Sequence, residues 1–437
     1  MKKQVVVFIL FFLFFLFYNL IVSPLVMDEV WVFGYANNLY LGLVPYRDFN
    51  IIISPLFFFL MSLPFYLFGN NMLVFHIENA LLITGFLYIV YKVIGNKMFL
   101  LVPFLIFPSN STFPNYNFFL LFLFVVLIYL EKENKSDLLI GIVLGLMILT
   151  KHTVGICILL PTFYYLKQKK KILMRFCGCL IPCFIFMIYL LITHTFSTFI
   201  DLGVLGLFDF GSNNQHFFNI FFFLVCLLLM IVFYHIYRKK ELLFLFYLLA
   251  FVSITIPMFD YYHVWLYVIA FVFILLVIYS PKVKWLYLLS ITFFVVTFIY
   301  SFIQSDFSFD YYPNHMNHFE YRYLDKNILK NLEKYNDIIK ENQYKFFIVG
   351  NDGYFHKIIL DQKATYLEMP LGGNFGYHGY QKMLKMVQKL DPDTLIFVSK
   401  SEVKGNTQIY ENLFDYIKEN YELVDEDDYY YFYLLKT

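Results

Sequence analysis

Long apolar runs broken by short polar stretches fill the first seven tenths of the chain. They are Val5 to Val22, Met72 to Ile94, Met98 to Phe107, Phe118 to Leu130, Leu138 to Thr150, Val154 to Leu166, Phe176 to Thr193, Phe217 to Tyr237, Leu242 to Met258, His263 to Ser280 and Trp285 to Ile303. A bilayer's hydrocarbon core is ~30 Å thick and a helix needs about 20 apolar residues to cross it. The runs therefore predict an α-helical polytopic membrane protein with about eleven crossings. A further stretch, Ile51 to Phe68, is apolar but carries prolines, and is expected either to cross or to dip in and return.

After residue 303 the period changes. Short elements alternate: a charged helix near Tyr323 to Lys340, strand Lys345 to Val349, a helix near Tyr354 to Leu360 and strand Thr365 to Glu368. Helix Gly379 to Leu390, strand Thr394 to Ser399, helix Ile409 to Glu419 and strands Glu422 to Val424 and Tyr430 to Leu435 complete the set. Such alternation predicts a small α/β sandwich with a largely parallel sheet. Two domains are expected, residues 1–303 in the membrane and residues 304–437 outside it.

Composition agrees with this division. With 60% hydrophobic, 22% aromatic and only 15% charged residues, an ordinary soluble domain is excluded. The first run follows Met1-Lys2-Lys3 and lacks a small-residue cleavage site, so a retained helix is expected rather than a signal peptide. Rich use of Phe, Tyr, Ile, Asn and Lys is the usage of a bacterium with an AT-rich genome. The five cysteines all fall in apolar segments, three of them in Cys177-Gly-Cys179-Leu-Ile-Pro-Cys183. They are expected as small packing residues, because no histidine is close in sequence to complete a zinc site.

Charge placement orients the chain. If Ile51 to Phe68 dips in and returns, 16 of the 18 Lys and Arg residues before position 304 fall on the cytoplasmic side. Only Arg47 and Lys151 remain outside, and an anionic ligand would account for both. The N-terminus is then cytoplasmic and the α/β domain extracytoplasmic, in a bacterial cytoplasmic membrane. Lys151-His152 joins two runs too short to span, so the turn is expected below the outer surface, in a polar cavity or beside an anion. Snorkelling to the interface is the alternative for Lys151.

The densest chemistry follows the first run, in Met27-Asp28-Glu29-Val30 and Pro45-Tyr46-Arg47-Asp48-Phe49. Ionisable groups beside a bilayer are costly unless they do chemistry or bind charge. Asp260-Tyr261-Tyr262-His263 adds a second such cluster at the outer start of a late run.

In this order and spacing, these segments resemble the GT-C type membrane glycosyltransferases that use polyprenyl-phosphate sugars, the group of the protein O-mannosyltransferases and the lipid A aminoarabinose transferases. The resemblance covers most of residues 1–303. It also includes Gly42-Leu43-Val44 before Pro45, Ser54-Pro55 to Phe68-Gly69, and Gly141-x3-Gly145-Leu146-x3-Thr150-Lys151 leading to Pro161. Where many relatives carry Lys-Pro-Pro, this chain has Ser54-Pro55; where they carry an arginine it has His76. Asparagines in Pro114-Asn115-Tyr116-Asn117 replace an acidic residue.

The resemblance implies a donor that is a polyprenyl-phosphate sugar, a glycan, lipid or protein acceptor, and inversion at the anomeric carbon. Such a transfer needs a base for the acceptor hydroxyl and cations for the departing phosphate. Asp28 is the candidate base. Glu29 is the second candidate, its alternative role being a carboxylate that stabilises the N-terminus of an amphipathic helix Val30 to Leu41. Arg47 is expected to fork onto phosphate with Asp48 orienting it, and Lys151 to add a point charge. Tyr46, His76, His152, Asp260 and His263 are the further candidate substrate contacts. No cofactor is required by this scheme, nucleotide and nucleic-acid partners are not expected, and the chain lacks Gly-rich phosphate fingerprints. The rival readings are a lipid-linked saccharide flippase or transporter, and a polysaccharide polymerase.

Three lesser motifs have bland expectations. Asn110-Ser111-Thr112 is read as an incidental glycosylation sequon, Leu371-Gly372-Gly373-Asn374-Phe375-Gly376 as an ordinary connection, and Asp425-Glu426-Asp427-Asp428 as a solvated turn.

Overall fold

The computed structural model describes residues 2–106, 115–165, 168–213, 219–238, 241–256, 259–279, 284–343, 345–350, 352–363, 375–404 and 408–436. The sequon, the expected strand 365–368 and most of the Gly-rich connection lie outside them.

The membrane part opens with α1 (Lys2–Phe17), continued by a π-helical turn at Tyr18–Val22, and α2 (Met27–Tyr40). Next come α3 (Leu56–Ser62), α4 (Phe65–Phe68), α5 (Met72–Ile94), α6 (Val102–Ile106) and α7 (Tyr116–Lys132). They are followed by α8 (Asp137–Thr150), α9 (His152–Tyr165), α10 (Lys169–Ile192), α11 (Phe196–Phe199) and α12 (Gly206–Asn213). The last four are α13 (Ile220–Tyr237), α14 (Leu242–Phe251), α15 (Tyr261–Ile278) and α16 (Lys284–Gln304).

Among the described residues, six helical stretches are long and apolar enough to cross a membrane: 4–22, 72–100, 169–192, 220–237, 261–278 and 286–304. Shorter apolar helices at 56–68, 137–150, 152–163 and 242–255, together with α7, lie among them. The run Met98 to Phe107 departs from the expected count. Gly95, at φ +65°, ends α5, and the chain then makes a 3-10 turn and the five-residue α6, which contains Pro103. At 1.5 Å per residue α6 is far too short to span. Ile51 to Phe68 likewise forms no straight crossing, because Pro64 divides it into the short α3 and α4.

Four helix starts in the membrane part share one device. The side chains of Asn71, Asn115, Asn219 and Asp260 accept from the first free N–H groups of α5, α7, α13 and α15. Backbone donors with no water nearby need such partners. Helices α8 and α10 approach so closely that a Cβ at Gly141 would lie 2.2 Å from the Arg175 carbonyl oxygen. Gly178 faces the Leu138 carbonyl oxygen at the same 2.2 Å, the small-residue packing that membrane helices favour. Below that contact Arg175 reaches the carboxylates of Glu131 and Asp137, and the Tyr247 hydroxyl donates to Glu131 at 2.7 Å.

The C-terminal part contains α17 (Lys326–Glu341), β1 (Phe346–Val349), α18 (Gly353–Ile359), α19 (Gly379–Val387) and β2 (Leu395–Ser399). It ends with α20 (Lys400–Lys404), α21 (Gln408–Asn420), β3 (Tyr421–Glu426) and β4 (Tyr430–Leu435). The sheet order is β1-β2-β4-β3. Among the described strands only β1 and β2 run parallel; β2 with β4 and β4 with β3 are antiparallel, so the described sheet is mixed where a largely parallel one is expected. The cause is local. Too few residues separate β3 from β4 for a crossover, so a hairpin is the one connection open to them.

The two parts interlock. Tyr354 of α18 packs on Gly34 of α2, and its hydroxyl accepts from Asn38 Nδ2 at 3.2 Å. A strap before α17 closes over the helix starts: Tyr323 N donates to the Leu20 carbonyl and Met72 N to the His318 carbonyl, both at 2.8 Å.

Candidate active site

The first turn of α2 carries both carboxylates singled out in the sequence, and the helix turns them in different directions. Asp28 opens onto a cavity of about 400 Å³. Trp31 and Tyr35 line it from α2, Ile51 to Ile53 from the following loop, and Asn115 to Asn117 from the start of α7. Asp260 to His263, at the start of α15, form the facing wall.

Across that wall runs a chain of hydrogen bonds. Asp260 accepts from His263 N at 2.9 Å and from the ring Nδ1 at 2.8 Å. With its proton on Nδ1, His263 takes the Asn117 amide on Nε2 at 3.4 Å. Asn117 Oδ1 in turn accepts from Lys151 Nζ at 3.3 Å, and Lys151 also donates to the Ile254 carbonyl at 3.3 Å. Tyr262 donates to Asn115 Oδ1 at 2.7 Å, which fixes the cap of α7 beside the cavity.

Asp28 is accessible from the cavity but ringed by protein beyond it. Removal from bulk water, reinforced by the Asp260 carboxylate, raises its carboxyl to about 6. Burial acts upward on Asp260 as well, yet its bonds and charge interaction with His263 outweigh that and hold it below the ordinary value. The two carboxylates are thus driven apart, one toward neutrality and one firmly ionised.

Glu29 points away, into protein. Its side chain is 1% exposed and meets Arg322, 0% exposed, from the strap. Arg322 Nε donates to Oε1 at 2.7 Å and Nη2 to Oε2 at 3.2 Å, while His76 Nε2 donates to Oε1 at 2.9 Å. Burial pushes the Glu29 carboxyl upward, but Arg322 and then His76 overcome it and hold it down at about 2. Arg322 also donates to the Leu20, Ser23 and Tyr323 carbonyls, so every part of the fork is engaged.

The remaining candidates are dispersed. Arg47 is 56% exposed and forks onto its neighbour Asp48 at 2.9 and 3.0 Å, and the cavity lining does not include it. Tyr46 is buried, at φ +67°, and its hydroxyl donates to the Ile53 carbonyl at 2.7 Å, which shapes the loop lining the cavity. His152 starts α9, and its Nε2 is buried without a partner among the described residues. The structure therefore gathers Asp28, Asp260 and His263 around one cavity with Lys151 behind its wall at Asn117, holds Glu29 and His76 in a separate buried group, and leaves Arg47 and Asp48 at the surface.

Arg322 escaped the sequence reading because it stands in a polar stretch beyond the apolar runs. Scarcity was the available signal: in this lysine-rich chain, Arg47, Arg175, Arg238 and Arg322 are all the arginines. Asn117 was visible only as a missing acid, not as the bridge between Lys151 and His263.

No protein-family profile matches the sequence, and neither does any curated protein. Solved structures do match. ArnT from Cupriavidus metallidurans, bound to undecaprenyl phosphate, superposes with a TM-score of 0.55 at 12% identity. Its apo state gives the same score at 11% identity, and both alignments cover 99% of this chain and 98% of ArnT. Over 99% of its length the chain has the fold of ArnT, and at this identity the match shows the fold alone.

Proposed function

We propose that the protein is an inverting membrane glycosyltransferase, moving a sugar from a polyprenyl-phosphate donor to a cell-surface glycan, lipid or protein at the outer face of the membrane. The observation that carries this reading is Asp28 on the wall of an internal cavity, opposite Asp260 and His263, with Lys151 one hydrogen bond behind Asn117. ArnT, bound to undecaprenyl phosphate in its crystal structure, adds support for a lipid phosphate as ligand of this fold.

In this reaction the acceptor oxygen attacks the anomeric carbon as Asp28 takes its proton. The bond from that carbon to the phosphate oxygen breaks, and its electron pair leaves with the phosphate. A carboxylate with its pKa near the working pH suits the proton transfer. Asp260, held ionised by His263, keeps Asp28 basic by repulsion. Lys151 supplies the positive charge that offsets the phosphate as its negative charge grows. Arg47, paired with Asp48 outside the cavity, is not needed for this step.

The test is transfer by the purified, reconstituted protein from a panel of polyprenyl-phosphate sugars, comparing wild type with Asp28→Asn and Lys151→Ala. Undiminished transfer by Asp28→Asn would overturn the base assignment. Movement of intact donor across the bilayer, with no hydrolysis and no transfer, would replace the transferase with a flippase.

A further inference from the structure

We infer that a second cavity, at the sheet edge above Asp28, is a binding site for the hydroxyl-rich glycan of the acceptor. This rests on the transferase reading for its role, though not for its existence. The cavity has a volume of about 250 Å³ and is lined by Asp352, Ser399, Ser401, Asp428 and Tyr429, with Met27 as its floor.

Its place in the fold is distinctive. β1 and β2 run parallel and end at the same edge, after Val349 and Ser399. β4 begins there, since Tyr430 pairs with Ser399. The crevice outside the carboxyl ends of parallel strands is where α/β sheets bind ligands, because no strand continues to fill it. Here the crevice is closed from below by the first turn of α2. Met27 lines the outer cavity and the next residue, Asp28, lines the inner one.

The lining chemistry selects the ligand. Asp352 and Asp428 accept hydrogen bonds, while Ser399 and Ser401, whose hydroxyls lie 3.0 Å apart, can both donate and accept. Tyr429 lines the cavity and is 53% exposed, its backbone anchored where Lys400 N donates to its carbonyl at 2.8 Å. Carboxylates and hydroxyls beside an exposed aromatic face match vicinal sugar hydroxyls and the apolar C–H face of the ring. The carboxylates repel phosphate. A glycan held here would lie against the first turn of α2, where Met27 is followed by Asp28 of the inner cavity.

Saturation-transfer difference NMR on the full chain in nanodiscs tests this with methyl α-mannoside, methyl β-glucoside and methyl β-galactoside as probes. At least one is expected to receive saturation, with affinity about tenfold weaker in Asp428→Asn and Tyr429→Ala, as for a lost contact, and unaltered in Asp28→Asn. No saturation in any probe, or equal signals in wild type and both rim variants, would overturn the site; so would loss of signal in Asp28→Asn alone, which would move the sugar to the inner cavity. Binding that depends on the rim in a protein that transfers no sugar would uphold the site and sink the transferase reading. Transfer without rim-dependent binding would do the reverse.

Discussion

Arg322 and Glu29, 293 positions apart, form a fully buried fork in which Nε donates to Oε1 at 2.7 Å and Nη2 to Oε2 at 3.2 Å. The contact ties the strap after the last membrane helix to the turn that carries Asp28. Removing one partner of such a pair leaves an uncompensated charge out of water, which costs about 3–5 kcal/mol. Arg322→Ala is expected to lower the thermal unfolding temperature sharply, whereas Glu29→Gln with Arg322→Met, which removes both charges, should recover most of the loss. A single variant as stable as wild type in detergent would show that the fork holds nothing.

Transfer activity should fall as the pH drops through about 6, where Asp28 takes up the proton that disables it as a base. Asp260 contributes to that value by repulsion. Asp260→Asn should therefore lower the Asp28 pKa and carry the acidic limb of the pH profile downward. A limb that stays in place, or moves upward, would separate the two carboxylates.

Lys151→Ala should reduce turnover by about 10²-fold or more, the usual cost of removing one charge-stabilising group, because its ammonium is bonded to Asn117 of the cavity wall. Arg47→Ala, outside that wall, should change turnover far less. Single-turnover rates with a saturating donor distinguish the two.

Gly141 and Gly178 have no room for a side chain at the α8–α10 crossing. Gly178→Ala would set its methyl against the Leu138 carbonyl and force the helices apart, at a cost of about 1–3 kcal/mol. A fall in the fraction of protein that survives a fixed heating step reads the effect. Gly42→Ala offers a contrast, since φ +80° strains it but no atom lies near its Cβ.

His356 is buried in the C-terminal part, with Nδ1 bonded to Asn336 Oδ1 at 2.8 Å, and burial depresses its pKa to about 4. Unfolded, the ring protonates near its ordinary value of about 6.5. Between these values the unfolded chain binds more protons, so stability is expected to decline as pH falls from about 6.5 toward 4. His356→Gln should flatten that slope in chemical unfolding measured at several pH values.

What the sequence discloses here follows from cost. Asp28, Asp260 and Lys151 stand out because charges beside apolar runs are expensive, and the structure does bring the two carboxylates to one cavity, with Lys151 bonded to Asn117 of its wall. The short helices of the C-terminal part are readable from their period, and α17, β2 and β4 fall close to where the pattern puts them. Strand direction is not local, so the antiparallel pairing of β2 with β4 has no signature in the sequence, and the short turn before Tyr430 speaks only for β3 with β4. The division of labour between Asp28 and Glu29 was equally hidden. Adjacent carboxylates look alike until one of them meets an arginine that lies almost three hundred residues further on.

That separation has a consequence for synthesis. Glu29 leaves the ribosome long before Arg322 exists, and until then it has at most His76 to offset its charge. The first turn of α2 gains its lasting anchor only when the strap arrives, after every membrane helix has been made. A chain that stops short of residue 322 would thus insert its helices and still leave the Glu29 carboxylate, and with it the first turn of α2, without its arginine.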